Sequence, residues 1–277
     1  MEEFNLEKKK VSTASGDIFY FINNSFPDRP FAIFLHGLSS NHTTWDYPME
    51  VLYNHKYNVL APDLRGHGFS DMSKNKKSYA LEVFSEDLRK IAEAEKIEEF
   101  SLVGYSFGGQ IALDFVLRYP ERIKGLILIS VNHVNPLKYK YLGFLSPVTV
   151  WFFNLLAFFL LWQKRENYYY YQHGDAVGYW DSVKHGLITM PLSVNFWMLS
   201  AVAGINFRDA IKNIKVPTVL VRAKNDFFIA EKETNDMAKA IRGSEIITSK
   251  NPNHFIGTNA QNETVEIILN FLNNKQI

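Results

Sequence analysis

"FSLVGYSFGGQIALDFVLRYP", from Phe100 to Pro120, is the most informative stretch of this chain. It opens with a short apolar run of strand length. It then passes through G-x-S-x-G, with Gly104, Ser106 and Gly108 at the three fixed positions. Apolar residues at helical spacing follow. A strand, a sharp turn and a helix in that order place a serine hydroxyl at the top of a sheet. The turn forces Ser106 into a strained backbone conformation, and Gly104 and Gly108 let neighbouring backbone pass where a Cβ would clash. The helix N-terminus beside Ser106 favours developing negative charge.

Outward from this point the same alternation recurs. "FAIFLHG" ends at Gly37, "YNVLAPD" at Asp63, "GLILIS" at Ser130, "PTVLVRAKND" at Asp226 and "SEIITS" at Ser249. Continuous apolar runs of this length suit strands buried on both faces. Helical periodicity lies between them: Leu81, Phe84, Leu88 and Ile91 recur at steps of three and four, and "ETVEIILNFLNN" behaves likewise. Strands alternating with helices predict an α/β fold with a mostly parallel central sheet and helices on both faces. Ligands of such sheets bind beyond the carboxyl ends of the strands. The alternation breaks once, between about Asn132 and Gly204, where the sequence is aromatic-rich. Residues 1–131 and 205–277 are therefore expected to form the core, and 132–204 an inserted helical lid.

A serine hydroxyl needs a base. Among eight histidines, His254 is preferred because "NPNHFIG" follows the last predicted strand. His36 and His67 compete, with loop-fixing hydrogen bonds as their alternative role. The base needs a carboxylate to orient it. Asp226 directly follows a strand; Asp236 falls in a helical stretch and reads as surface charge, and Asp63 leads into a glycine-rich turn. The order Ser106, Asp226, His254 is that of an α/β-hydrolase triad.

With "FLHGLSSN", "APDLRGHGFSD", "LVGYSFGG", "RDAIKNIKVPTVLVRAKND" and "NHF" in sequence, the chain resembles the α/β-hydrolase superfamily over nearly its whole length. The resemblance implies a Ser106–His254–Asp226 triad and an oxyanion hole from the backbone N–H groups of Phe107 and Leu38. His36, Gly37, Gly104 and Gly108 would support the surrounding loops. It also implies an aspartate at the nucleophile position in epoxide hydrolases and haloalkane dehalogenases, where this chain has Ser106. The expected activity is hydrolysis of carboxylic esters with a hydrophobic acyl chain, of esterase or monoacylglycerol-lipase type. Carbon–carbon bond hydrolases and acyltransferases share the triad and stay open. So does a non-catalytic ligand-binding protein of this fold. A carbon–carbon hydrolase normally needs polar groups to bind a dicarboxylate-like substrate, for which Arg165 and Arg208 are candidates that nothing in the sequence marks out.

Composition narrows the partners. Thirty Lys and Arg against 29 Asp and Glu give a net charge of +1, so nucleic acid is not expected. Cysteine is absent, which excludes disulfides, thiolate metal sites and a cysteine nucleophile. No cofactor and no metal are expected. "MEEFNLEKKK" lacks the apolar segment of a secretory signal, so a cytoplasmic location is expected.

"GFLSPVTVWFFNLLAFFLLW", from Gly143 to Trp162, carries no charge. Its length approaches that of a membrane span. A span would separate Ser106 from Asp226 and His254, so a lid helix is the expected form. Burial within the lid is the first expectation. Docking on a membrane surface and contact in a homodimer are the alternatives, because a large exposed apolar face implies a partner.

Overall fold

The computed structural model describes residues 3–135, 146–160, 168–171, 189–251, 253–254 and 260–277. Eight strands form one sheet: β1 (Glu7–Thr13), β2 (Gly16–Asn23), β3 (Phe31–Leu35), β4 (Asn58–Pro62), β5 (Phe100–Tyr105), β6 (Ile123–Ile129), β7 (Thr218–Ala223) and β8 (Glu245–Ser249). Their spatial order is β1-β2-β4-β3-β5-β6-β7-β8. The six strands from β3 to β8 pair in parallel; β1 and β2 form an antiparallel hairpin, and β2 pairs antiparallel with β4. The apolar runs account for β3 to β8. The N-terminal hairpin is an addition to that reading: β1 is a charged edge strand, and its three lysines suit an edge that must not pair further.

The central strands are buried on both faces, with alternate residues serving opposite layers. In β3, Ile33 and Leu35 face one core and Ala32 and Phe34 the other. The first core is closed by α2 (Leu81–Ala94) and α3 (Phe107–Arg118), through Phe84, Leu88, Ile111 and Phe115. The second is closed by α1 (Asp46–Asn54) and a C-terminal helix, through Met49, Leu52, Ile268 and Leu272. Each fully buried side chain of this kind contributes about 1.5–3 kcal/mol relative to exposure.

Between β6 and β7 the chain forms α4 (Ser146–Phe159) and α5 (Leu192–Ala203), which pack on each other. The two ends of this insertion meet: Val134 bridges to Asn206, and the Phe207 N–H donates to the His133 carbonyl at 2.8 Å. α5 sits on the core through Val194, Trp197 and Met198, with the Trp197 ring stacked on Tyr79. α6 (Glu231–Ala240) lies between β7 and β8, and α7 (Gln261–Lys275) ends the fold.

The strand order reverses between β3 and β5. From β3 the chain goes to β4 on one side and then returns to β5 on the other. Such a switch point opens a crevice at the carboxyl ends of the two strands. His36 follows β3 and Ser106 follows β5, so both stand at its rim.

Candidate active site

Ser106 joins β5 to α3 with φ 51° and ψ −112°. That positive φ costs a non-glycine residue about 1–3 kcal/mol and persists only where its surroundings enforce it. Three contacts enforce it here. The Ser106 N–H donates to the Ile129 carbonyl of β6 at 2.9 Å, and the Ser106 carbonyl accepts from Gly109 and Gln110 at 3.0 and 3.2 Å. Close packing does the rest: a Cβ on Gly108 would lie 2.3 Å from the Leu35 carbonyl oxygen, and one on Gly104 2.6 Å from the Gly109 Cα.

His254 Nε2 lies 3.0 Å from Ser106 Oγ, and its Nδ1 lies 2.8 Å from Asp226 Oδ2. With Nδ1–H donating to the carboxylate, Nε2 carries the lone pair that faces the serine hydroxyl. The Asp226 side chain is 1% exposed. Burial alone would raise its pKa, but the His254 hydrogen bond and charge, with backbone donors, hold it below the ordinary carboxylate value. Those donors are the N–H groups of Phe228 and Ile229, at 2.8 and 3.0 Å from Oδ1. The imidazole sits between Tyr105 and Phe228, whose ring meets it edge-on. The backbone carbonyl of His254 accepts from the Tyr105 hydroxyl at 3.1 Å.

The loop after β3 borders the serine. A Cβ on Gly37 would stand 3.6 Å from Ser106 Cβ. Gly37 to Ser40 form a turn, closed by the Ser40 N–H on the Gly37 carbonyl, and Leu38 lies within it. Phe107 is the first residue of α3, so its N–H is one of those the helix itself leaves without an i−4 carbonyl.

A family model described as the alpha/beta hydrolase fold matches residues 33–258. The chain belongs to the alpha/beta hydrolase fold family. Over 121 residues, 44% of this chain and 33% of the relative, it is 30% identical to human epoxide hydrolase 4. Over another 121-residue alignment it is 32% identical to a putative 2-succinyl-6-hydroxy-2,4-cyclohexadiene-1-carboxylate synthase of Bacillus subtilis, covering 43% of each chain. The alignments thus span less than half the length of these curated relatives. Among solved structures, a thermophilic esterase from Thermogutta terrifontis is similar with a TM-score of 0.79 at 18% identity, covering 98% of this chain and all of that one.

In this alpha/beta hydrolase the two competing histidines are used otherwise. His36 accepts the Leu64 N–H at Nε2 (3.0 Å) and donates from Nδ1 to the Gly37 carbonyl (2.8 Å). His67 accepts the Ser39 N–H at Nε2 (3.0 Å) and donates from Nδ1 to the Arg65 carbonyl. Burial pushes their pKa values down, to about 4 and about 3. Both are neutral struts tying the loop after β3 to the loop after β4. Asp63 is likewise spent on loop structure, accepting from the His42 N–H and ring and from the Phe69 N–H. Asp236 pairs with Lys232 on α6. Arg208 is exposed near the neck of the insertion; Arg165 lies outside the described residues.

Two supporting groups escape a reading of the sequence alone. Glu263 in the first turn of α7 accepts from Ser249 Oγ at 2.5 Å and from the Lys250 N–H at 2.9 Å. It anchors the start of the loop that carries His254. Its signal is an acidic residue at a helix start, which is too common to single out. The Tyr105 hydroxyl is the second. Among the described residues, no group of three or more His, Asp or Glu is placed to hold a metal ion.

Proposed function

We propose that this alpha/beta hydrolase is a serine hydrolase that cleaves carboxylic esters with a hydrophobic acyl chain. The observation that carries the reading is the unbroken chain Ser106–His254–Asp226, with contacts of 3.0 and 2.8 Å. Ser106 Oγ attacks the acyl carbonyl while His254 Nε2 takes its proton. The N–H groups of Phe107 and Leu38 receive the oxyanion. The tetrahedral intermediate collapses, and His254 returns the proton to the departing alcohol. Water then attacks the acyl-enzyme, again giving a proton to His254, and the carboxylic acid leaves as Ser106 regains its hydrogen. Asp226 keeps Nδ1 protonated and stabilises the imidazolium throughout.

A serine at this place favours acyl transfer over epoxide opening. A hydroxyl that opened an epoxide would be left as an ether, which the same base and water do not release. An acyl-enzyme ester is released by them. The acyl preference rests on Leu38, Phe227 and Phe228, the apolar side chains flanking the reacting groups in the chain. Residues 132–204 act in this reading as the lid over the strand ends.

The test is hydrolysis of p-nitrophenyl esters from acetate to palmitate, with wild type beside Ser106→Ala. The expected outcome is activity that rises with acyl length and vanishes in the variant while its melting temperature stays near wild type. Activity retained by purified Ser106→Ala protein would overturn the nucleophile. Activity confined to acetate would overturn the acyl preference.

A further inference from the structure

α4 is covered on one face only. Phe153 stacks on Phe196 of α5 and Ala157 is fully buried, whereas Trp151, Phe158 and Phe159 stand exposed. The expectation of a helix buried within the insertion is corrected accordingly: a uniformly apolar helix resting on a single neighbour has no second surface to shelter its other side. Among the described residues no helix is long and apolar enough to cross a membrane.

A cleft of about 500 Å³ opens elsewhere on the core, and none of Ser106, Asp226, His254 or Leu38 lines it. One wall is a single helical face. The 3-10 turn His42–Trp45 runs directly into α1, so His42, Asp46 and Glu50 follow one another at steps of four residues. That spacing makes their side chains neighbours, and all three line the cleft. Phe21 of β2 backs His42 with a stacked ring, and Phe4 and Tyr47 add further aromatic surface.

The polar groups of this wall are acceptors. The His42 side chain is 6% exposed, and its Nδ1 faces Asp63 Oδ1 at 2.7 Å and the Tyr168 hydroxyl at 3.1 Å. The buried Asp63 carboxylate keeps the hydrogen on Nδ1, which leaves a lone pair on Nε2 of the neutral ring. That nitrogen has no hydrogen-bond partner among the described residues. Asp46 Oδ1 is buried and likewise unpartnered. Buried oxygens are costly unless something donates to them. Burial pushes the Asp46 carboxyl up to about 6, and a cation beside it would offset that cost. Glu50 contributes a second, exposed carboxylate. No Lys or Arg belongs to the lining; Lys8 is held over the Phe69 ring, 3.2 Å from its centroid.

We infer that this cleft is a second binding site, for a small organic ammonium ion. The ammonium N–H groups donate to Asp46 Oδ1 and His42 Nε2. Glu50 adds attraction, and the ligand's apolar body rests on the Phe4 and Tyr47 rings, whose faces also favour positive charge. Two carboxylates without a basic partner turn an anion away. A metal ion is the poorer fit, because no group of three or more His, Asp or Glu among the described residues is placed to hold one, and aromatic walls offer a metal no ligand.

The inference is independent of the hydrolytic assignment, because its readout is binding. 2-Phenylethylamine is titrated into the purified protein by calorimetry at about pH 8, where His42 and Asp46 have lost their protons and the amine keeps its own. Saturable one-to-one binding in the millimolar range or tighter is expected. The neutral counterpart 2-phenylethanol should bind at least about ten-fold more weakly, since it brings no charge. Asp46→Asn and, separately, Glu50→Lys should each weaken the amine by about ten-fold or more, with melting temperatures measured beside them. Glu50 is exposed, so its variant tests the site even where Asp46→Asn folds poorly. Asp226→Asn, at the other centre, should leave the affinity unchanged. Absence of saturable binding up to about 10 mM would overturn the inference. So would equal affinity for the alcohol, or affinity unchanged in the folded Asp46 and Glu50 variants. Binding lost in Asp226→Asn and kept in Asp46→Asn would place the amine at the Ser106 centre and overturn it as well.

Discussion

Asp226 receives the His254 Nδ1–H on Oδ2 and two backbone N–H groups, from Phe228 and Ile229, on Oδ1. Both oxygens are occupied, so the carboxylate can neither rotate nor take a proton readily. Asn at this position would keep the shape but offer an N–H to the imidazole or to the backbone donors. The histidine would then hold its proton on the wrong nitrogen. Asp226→Asn is expected to lower kcat by about 10³ to 10⁴ with little change in fold. Steady-state rates beside a thermal melt check this. Near-wild-type turnover would move the acid elsewhere in the site.

Gly108 carries the second prediction. The Leu35 and His36 carbonyls lie 2.3 and 2.6 Å from where an alanine Cβ would stand. These are backbone atoms and cannot swing aside, so Gly108→Ala must push the loop after β3 away from Ser106. The Leu38 N–H moves with that loop. The expected result is a fall of about 10² in kcat, the scale of one lost oxyanion donor, together with a lower melting temperature. A variant with unchanged kcat would show that the Leu38 N–H plays no part.

These sites were legible to unequal degrees. Ser106 and Asp226 follow strongly apolar, buried strands and His254 lies in the loop after the shorter, more exposed β8; a parallel sheet gathers such strand ends at one edge, so their meeting follows from the sequence. The loop-fixing alternative for His36 and His67 also follows, since both lie beside glycines, in the loops after β3 and β4. Their actual partners, the Leu64 and Ser39 N–H groups, depend on how two distant loops approach, and no local pattern encodes that. The β1–β2 hairpin escapes because Lys8, Lys9 and Lys10 mask an edge strand that has no need to be apolar. The outward face of α4 escapes for the opposite reason. A helix apolar on every side carries no pattern that says which side is covered.

Acid sensitivity is the third prediction. In the folded protein His36 and His67 stay neutral down to about pH 4 and about pH 3, whereas the unfolded chain protonates them near 6.5. Below pH 6.5 the unfolded state therefore binds two more protons, and stability falls as pH falls. Asp46 acts in the opposite sense. Burial pushes its pKa up to about 6 from 3.8, so between those values the folded state holds one extra proton. For these three groups one net proton remains, and stability should drop by about 1.4 kcal/mol per pH unit between roughly pH 6 and pH 4.5. Urea unfolding across that range measures it. Asp46→Asn removes the offset and should roughly double the slope; a flat profile in wild type would contradict the neutral, buried state of the two histidines.

The last prediction concerns Glu263, which touches no reacting atom. Its two oxygens hold Ser249 and Lys250 at the end of β8, and the loop from there carries His254. A catalytic base must meet Ser106 Oγ within a few tenths of an ångström, and small misplacements are costly in rate. Glu263→Ala frees the loop start without altering the triad. The expected effect is a fall of about ten-fold in kcat with KM nearly constant, because the transition state depends on the position of His254 more than substrate binding does. Glu263→Gln keeps one carbonyl acceptor for the Lys250 N–H and should recover part of the loss. If KM rises while kcat holds, Glu263 shapes the binding surface and does not position the base.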